Sequence, residues 1–261
     1  MPDDASTVAA KAEPALLVDR QGDITRLTLN RPQRGNALSA ELVQALHDAV
    51  LACQRDGTRL LLIEGAGKHF CTGFDLGDLD CLDGESDDTL LARFVRVELM
   101  LQAIYTAPFT TVARVHGRAM GAGADLAVAC EQCWVADDSR FAFPGAAFGL
   151  VLGTARLAAR VGPTLARQWI GAGATIDADT ALATGLASRP FEADEHGKPD
   201  TALEALARQA RRLDTETQAA IHAASRAGDD ELARQLAALV HSAARPGLRE
   251  RIRAYRAASA R

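Results

Sequence analysis

The chain has 261 residues, of which 48% are hydrophobic and 24% charged, and its formal net charge is −5. This length can bury a large core, either as one α/β domain or as a domain with a helical appendage. The acidic balance argues against a general nucleic-acid surface, and no apolar run of about 18 residues predicts a membrane span. The first residues, MPDDASTVAAKAEP, lack the basic and apolar regions of a secretory signal.

Strand and helix signals alternate over the first part of the chain. The segments ALLVDR and ITRLTLN have β-type composition, and the DRQGD between them predicts a hairpin turn. Ser39 is expected to cap a helix over AELVQALHDAVLACQRD, whose apolar residues recur at helical spacing. The next segment, RLLLIEG, predicts a short buried strand.

The same alternation continues to about residue 160. A polar loop, DCLDGESDD, precedes a predicted helix over LLARFVRVELMLQAIYTA, which Pro108 ends. FTTVARV predicts another strand, and GADLAVAC begins a further helix. From about Pro163 the strand signals vanish and the remaining segments have helical patterns. This order predicts a mostly parallel sheet followed by a helical region.

The five cysteines are an odd number for a disulfide framework and favour a reducing cytoplasm. Cys130 and Cys133 form a lone C-x-x-C motif. Because no second pair or histidine motif completes a zinc site, we expect core cysteines rather than a metal or redox centre.

Two glycine-rich loops follow predicted strands, EGAGKHFCTGFDL at 64–76 and HGRAMGAGADL at 116–126. Glycines leave backbone N–H groups open to a ligand, and the second loop leads into a helix N-terminus with partial positive charge. Two such N–H groups converging from two strand ends would form an oxyanion hole. Alternatively, loops of this type cradle phosphates or simply allow close packing.

Five segments in order resemble the crotonase superfamily, the enoyl-CoA hydratase/isomerase family: ITRLTLNRPQRGNALS, IEGAGKHFCTGFDL, VHGRAMGAGADLAVACE, FAFPGAAFGL and ALATGLAS. The resemblance covers roughly residues 15–190. It implies an α/β fold, a crotonase-like spiral of ββα units with a C-terminal helical region. The domain limits expected from it are a flexible tail at 1–14, a core with the acyl-CoA site at 15–195 and a helical oligomerisation region at 196–261.

The resemblance also implies the partners of the chain. The substrate is expected to be an acyl-CoA thioester, with coenzyme A as part of that substrate and with no further cofactor or metal. A homotrimer or a dimer of trimers is expected, without nucleic-acid or membrane partners, in the cytoplasm.

Three catalytic residues follow from the same resemblance. The backbone N–H groups of Thr72 and Ala122 match those that hold the thioester oxygen in the family. Asp125 occupies the position of the first catalytic glutamate of the hydratases, with a shorter side chain. Gly145, after Pro144, occupies the position of the second glutamate and carries no acid.

The expected substrate-binding residues are basic, aromatic or glycine. Arg34 and Lys68 are candidates for contacts with coenzyme A, against solvated turns as the alternative. The aromatic and glycine candidates for the acyl pocket are Phe74, Phe148, Gly73, Gly121 and Gly145. Phe143 is a further candidate wall, and core packing explains the aromatic residues equally well.

Other titratable residues are weaker candidates, each with a structural alternative. His116 is expected either to fill the core or to act in catalysis, and His69 either to meet a CoA phosphate or to face solvent. Glu98 borders the acyl pocket in the family, yet its spacing also fits an exposed helix face. Asp75 is expected to cap the turn after CTGF, and Asp137 and Asp138 to form a turn.

The sequence therefore predicts an enoyl-CoA hydratase/isomerase-like enzyme that stabilises an enolate and lacks the usual second glutamate. One alternative is another reaction of the family that a single carboxylate can serve, such as double-bond isomerisation, decarboxylation or C–C hydrolysis. A second alternative is a catalytically weakened acyl-CoA-binding or scaffold protein.

Overall fold

The structure, a computed structural model, describes residues 13–76, 86–192, 201–226 and 228–259. Its strands are β1 Leu16–Gln21, β2 Ile24–Leu29, β3 Leu60–Gly65, β4 Thr110–Val115, β5 Arg118–Met120, β6 Gln132–Val135, β7 Arg140–Ala142, β8 Ile176–Asp177 and β9 Arg189–Pro190. Its helices are α1 Ala40–Cys53, α2 Asp87–Tyr105, α3 Ala122–Ala129, α4 Thr154–Val161, α5 Pro163–Ala172, α6 Ala178–Thr184, α7 Thr201–Ala210, α8 Thr215–Ser225, α9 Asp229–Ala243 and α10 Leu248–Ser259.

Six strands form the main sheet in the order β1-β2-β3-β4-β6-β9. The β1–β2 hairpin is antiparallel, and every other pairing in this sheet is parallel. All six residues of β4 are buried, because helices cover both faces of a parallel sheet. The predicted hairpin and the mostly parallel sheet are confirmed, and with them the α/β fold class.

A second, smaller sheet has the order β5-β7-β8 and lies beside the two glycine-rich loops. Cys71 of the first loop bridges to Ala119 of β5, so this small sheet ties the loops together. The helix that follows the second loop, α3, is buried along its whole length. Its start is thereby fixed next to the first loop.

The helix predictions hold with shifted boundaries. Ser39 caps α1, as predicted, by accepting a hydrogen bond from Leu42 N–H. Helix α2 begins at Asp87, three residues before the predicted start, because the Ser86 hydroxyl accepts from Thr89 N–H. The rest of the predicted polar loop, together with Cys81, lies among residues 77–85, outside the described residues.

The expectation that no strand follows Pro163 is wrong. Ile176 in β8 pairs with Phe141, and Arg189 in β9 pairs with Trp134. Each of these strands has only two residues, too few to produce a periodic signal in the sequence. They form where the edges of β7 and β6 are open to a further strand.

The C-terminal helices fold back onto the core of their own chain. Helix α9 packs on α2, and α10 packs on the turn of 3₁₀-helix Pro144–Phe148. Leu239, Leu248 and Ile252 share one buried cluster with Phe94 and Phe148. Leu239, Leu248 and Ile252, apolar residues of the region expected to mediate oligomerisation, are thus covered within the chain.

Several predictions about chain segments concern residues that the structure does not describe. Most of the 1–14 tail and the boundary between residues 195 and 196 fall outside the described ranges.

Among the described helices, none combines the length and apolarity needed to cross a membrane. The described cysteines, Cys53, Cys71, Cys130 and Cys133, are free and buried.

Candidate active site

A cavity of about 310 Å³ opens between the two glycine-rich loops, the Pro144–Phe148 turn and helices α4, α5 and α10. It brings together eight of the predicted site residues: Thr72, Gly73, Phe74, Gly121, Ala122, Asp125, Gly145 and Phe148. Phe143 also lines it. Arg34 and Lys68 are not part of its lining and have exposed side chains.

The first loop runs as an extended segment along the residues that precede α1. Leu38 N–H donates to Gly73 O at 2.8 Å, and Asp75 N–H donates to Leu38 O at 3.2 Å. Successive N–H groups of an extended chain point in opposite directions, so the N–H of Phe74 points away from Leu38, toward the cavity. Within the described part of the chain this N–H meets no acceptor.

The expectation that Thr72 provides an open N–H group is contradicted by this arrangement. Thr72 N–H donates to the carbonyl oxygen of Gly35 at 2.9 Å. Its donor is therefore used within the fold, and Phe74, two residues on, has the open one. The sequence identified Phe74 only as an acyl-pocket wall, because the partner of each N–H depends on a segment some 35 residues away.

The second open donor is the N–H of Ala122, the first residue of α3. The first N–H groups of a helix have no partner within it, and the N-cap residue Gly121 has no side chain to supply one. Gly121 itself donates to Ala142 O at 2.8 Å. The helix start therefore presents Ala122 N–H to the cavity.

The two donors come from segments in close contact. Gly73 has φ +94°, and a Cβ there would lie 2.4 Å from Met120 O and 3.6 Å from Ala122 N. Only glycine fits at this point. The absence of a side chain at Gly73 thus lets the Phe74 and Ala122 N–H groups face one cavity.

Asp125, in the first turn of α3, places its carboxyl group in the same cavity. The residue is 4% exposed, and its Oδ1 has no hydrogen-bond partner among the described residues. Burial raises the pKa of this carboxyl group to about 8, an effect that Arg156 opposes and Glu98 reinforces. Asp125 is therefore mostly protonated at neutral pH.

Glu98 and Arg156 lie beside Asp125 as a buried ion pair. Arg156 donates from Nη1 to Glu98 Oε1 at 2.9 Å and from Nη2 to Glu98 Oε2 at 2.6 Å. Each side chain is 1% exposed. The exposed helix face considered for Glu98 is thus wrong, and Arg156 is a residue of the site region that the sequence did not indicate.

Gly145 lies in the Pro144–Phe148 turn, and its φ is not in the left-handed region. A Cβ at this position would meet only Leu150, at 3.8 Å, which is ordinary van der Waals contact. Neither backbone strain nor crowding requires glycine here. Among the described residues that line the cavity, Asp125 supplies the sole carboxyl group.

Aromatic rings form much of the wall. Phe74 stacks on Phe94 with ring centroids 4.3 Å apart, and Phe148 lies 5.2 Å from Tyr255. Tyr255 belongs to α10, so the C-terminal region contributes to the cavity. Its basic and polar neighbours in the sequence gave no signal of this role.

The remaining titratable candidates lie outside the cavity lining. His116 Nε2 is 2.9 Å from Gly67 O, and His69 Nδ1 accepts from Arg118 N–H at 3.3 Å. Burial, with the nearby charge of Arg118, lowers the pKa of His69, which fits this acceptor role. Both histidines thus hold loops in place.

The three predicted turn residues differ in their surroundings. The buried Asp75 carboxyl forms ion pairs with Arg31 at 2.8 Å and with Arg34 at 3.4 Å, so it joins two loops. Asp138 lies in a turn, as predicted, and accepts from Gly117 N–H at 3.0 Å. Asp137 is an exposed residue of the same turn.

Comparison with known proteins gives concordant matches. The family model described as enoyl-CoA hydratase/isomerase matches residues 19–252. A Bacillus subtilis protein named "Probable enoyl-CoA hydratase" is 34% identical over 62% of this chain and 63% of its own length. The Escherichia coli protein named 2,3-dehydroadipyl-CoA hydratase is 34% identical over 69% of this chain and 70% of its own.

Solved structures show the same fold. A crystal structure from Bordetella parapertussis, described as an enoyl-CoA hydratase/isomerase, has a TM-score of 0.87 at 39% identity and covers 93% of this chain and 98% of that one. An enoyl-CoA hydratase structure from Bacillus halodurans has a TM-score of 0.80 at 21% identity, with coverage of 92% and 99%. The crotonase-like fold expected from the sequence is thereby confirmed.

Proposed function

The chain belongs to the enoyl-CoA hydratase/isomerase family of enzymes, and from this premise we propose that it acts on an enoyl-CoA thioester through an enolate. The observation that carries the proposal is the meeting of two open backbone N–H groups, those of Phe74 and Ala122, with the Asp125 carboxyl in one cavity.

The two N–H groups would hold the thioester oxygen. As the enolate forms, negative charge collects on this oxygen, and fixed donors in a buried site stabilise that charge without having to reorganise. Each such donor typically lowers a barrier by about 3 to 4 kcal/mol. This pairing of Phe74 with Ala122 replaces the pairing of Thr72 with Ala122 that the sequence suggested.

Asp125 would move the proton. In hydration, its neutral carboxyl gives a proton to the α-carbon while the oxygen of water bonds to the β-carbon, and the proton released from that water restores the carboxyl. The product then contains one added water, and the enzyme is unchanged. No second carboxyl at position 145 assists the water, so this step relies on Asp125 alone.

A second candidate reaction, double-bond isomerisation, is favoured by that same single carboxyl group. The ionised form of Asp125, the minor form at neutral pH, would remove a proton from the α-carbon of a 3-enoyl thioester and return it to the γ-carbon, which leaves the double bond conjugated with the carbonyl. One group serves both steps, and no water is needed.

The apolar cavity would take the acyl chain, with Phe74, Phe148, Gly73, Gly121 and Gly145 as its walls. Arg34 and Lys68, exposed outside the lining, stay candidates for contacts with the coenzyme A phosphates. No cofactor beyond the coenzyme A of the substrate is part of the proposal. The trimer-based assembly and the cytoplasmic location stay predictions.

The test is turnover of a panel of CoA thioesters followed by mass spectrometry: crotonyl-CoA, a 3-enoyl-CoA, and β-keto and malonyl-type esters. Asp125→Asn should lower the observed turnover by about 100-fold or more, because it removes the ionisable group. Asp48→Asn, the same change at an exposed position of α1, is the matched control and should leave turnover unchanged.

Two results would count against the proposal. Undiminished turnover by Asp125→Asn would remove Asp125 from the reaction. Tight binding of the esters without turnover of any would instead support the acyl-CoA-binding or scaffold alternative.

A further inference from the structure

Three ionisable side chains are buried together where helices α2, α3 and α4 meet. They are Glu98 of α2, Asp125 of α3 and Arg156 of α4, each no more than 4% exposed. Two carboxyl groups therefore share the surroundings of one guanidinium. Only one of them, Glu98, is bonded to it.

The hydrogen bonds of Arg156 explain this choice of partner. Its Nη1 donates to Glu98 Oε1 and also to Gln235 Oε1, at 2.8 Å, and its Nη2 donates to Glu98 Oε2. Gln102 supports the pair by donating to Glu98 Oε1 at 2.9 Å. Both terminal nitrogens of the guanidinium are thus occupied by Glu98 and Gln235.

Two buried polar atoms without a hydrogen-bond partner show that the Arg156 guanidinium is not bonded to Asp125. Arg156 Nε has no acceptor, and Asp125 Oδ1 has no donor, among the described residues. An ionised carboxylate buried in this way would have no hydrogen bond at Oδ1 and no cation bonded to it among the described residues, which is a costly state. A neutral carboxyl group avoids that cost.

Other charged residues on the elements packed against α3 are engaged elsewhere. Arg160 of α4 donates to Val128 O and Cys130 O at the far end of α3, and Arg114 of β4 faces Glu64. Arg93 of α2 lies over the Phe74 ring, and Arg118 of β5 is exposed. The other titratable group of the described cavity lining is the phenol of Tyr255.

We propose that Glu98 is a positioning residue for the reaction: by holding Arg156 in a two-pronged ion pair, it keeps Asp125 without a cationic partner and so in the neutral form that can donate a proton. The donor role rests on the proposed function, whereas the protonation state of Asp125 does not. The pKa of Asp125 supports this proposal. Arg156 lowers this pKa and Glu98 raises it, so the two effects oppose each other, and burial, the largest effect, raises it.

The decisive change is Glu98→Gln, which keeps the shape of Glu98 but removes its charge and replaces one of its two acceptor oxygens with an NH2 group. The charge of Arg156 is then uncompensated, and it should stabilise the ionised form of Asp125. The midpoint for titration of Asp125 should fall by more than one pH unit. Glu98→Asp, which retains the charge, is the conservative control and should keep the midpoint within about half a unit of the unchanged protein.

The readout is the carboxyl carbon resonance of Asp125 in protein labelled with ¹³C at aspartate, identified by its absence in Asp125→Asn and followed against pH. This measurement needs no turnover, so it stands even where the proposed reaction fails. If the chain is active, the pH profile of the proton-donating reaction should shift downward in Glu98→Gln by the same amount as the midpoint. An unchanged midpoint in Glu98→Gln, or an equal fall in Glu98→Asp, would overturn the proposal.

Removing one member of a buried ion pair can also prevent folding. A second variant tests the proposal if Glu98→Gln does not fold. Glu98→Gln combined with Arg156→Met removes both charges and leaves no unpaired one. If the pair acts on Asp125 as a nearly neutral unit, the midpoint should stay within about half a unit of the unchanged protein. A shift of more than one unit in either direction would contradict the role given to Glu98.

Discussion

The backbone of Gly153 lies directly against the side chain of Asp125: a Cβ added at Gly153 would come within 2.0 Å of Asp125 Oδ1. Gly153 is the N-cap of α4 and has φ +67°. This contact covers one side of the buried carboxyl group. Gly153 therefore contributes to the site without any side chain of its own.

Gly153→Ala should disturb both stability and function. The left-handed backbone and the clash with Asp125 together should lower the free energy of unfolding by about 1 to 3 kcal/mol, and turnover should fall because the carboxyl group must move. Denaturant unfolding and steady-state kinetics measure these effects. Gly145→Ala is the matched control, since its Cβ has room, and it should change stability by less than about 0.5 kcal/mol. Equal effects of the two substitutions would refute the special role of Gly153.

Ala122→Pro tests the oxyanion donor with little risk to the fold. Proline lacks an N–H group and is well tolerated at the first position of a helix, which Ala122 occupies. The rate of turnover should fall by about 100-fold or more, with a much smaller loss of CoA-ester binding. Ala122→Gly retains the donor and should lose far less. Matching losses of binding and turnover in Ala122→Pro would show that this N–H group does not act selectively on the transition state.

The free energy of unfolding should depend on pH in the way expected of an Asp125 that is protonated in the folded state. The pKa of Asp125 is about 8 in the folded chain against 3.8 when unperturbed, so between these values the folded state retains a proton that the unfolded state has lost. This contribution to stability is full below about pH 4 and is lost as the pH rises toward 8, by up to about 1.4 kcal/mol per pH unit. Denaturant unfolding of the unchanged protein and of Asp125→Asn over this range isolates it. A difference in unfolding free energy between the two that is constant with pH would contradict the raised pKa.

Gly145→Glu should increase hydration of crotonyl-CoA over the unchanged protein. The substitution adds a carboxyl group beside the cavity, and the backbone there accepts a side chain without strain. We expect a small gain, because Asp125 is shorter than the glutamate it would act with. Gly145→Gln fills the same volume without an ionisable group and should show no gain. If Gln raises the rate as much as Glu does, the effect comes from packing and not from acid–base chemistry.

Assembly is the last prediction. Leu213 and Ile221, in the C-terminal helical region, are 42% and 53% exposed on the single chain, while Leu239, Leu248 and Ile252 of α9 and α10 are already buried. We expect a trimer or a dimer of trimers, with a light-scattering mass three or six times that of the chain. Ile221→Asp should weaken the assembly, because it places a charge on an apolar surface. A folded monomer at micromolar concentration would show the prediction to be wrong.

The sequence by itself determined the fold class, most of the element order and the position of Asp125 at the start of α3. These features depend on local signals: apolar periodicity, the Ser39 cap, and glycines at strand ends. Two-residue strands such as β8 were not predicted, because so short a segment shows no alternation of apolar and polar residues. The two glycine-rich loops were also correctly placed around one cavity, since both follow parallel strands of the same sheet.

Only the tertiary structure decided which groups in that cavity are available and in what state. Thr72 and Phe74 differ because one N–H group faces Gly35 across the fold and the other faces the cavity, and no local pattern encodes that pairing. The raised pKa of Asp125 depends on its burial, to which Gly153 contributes, and on the Glu98–Arg156 pair; these residues come from two other parts of the chain, α2 and the start of α4. Hydrogen bonding and ionisation follow the surroundings of a group in three dimensions, whereas helix and strand formation follow mainly its neighbours along the chain.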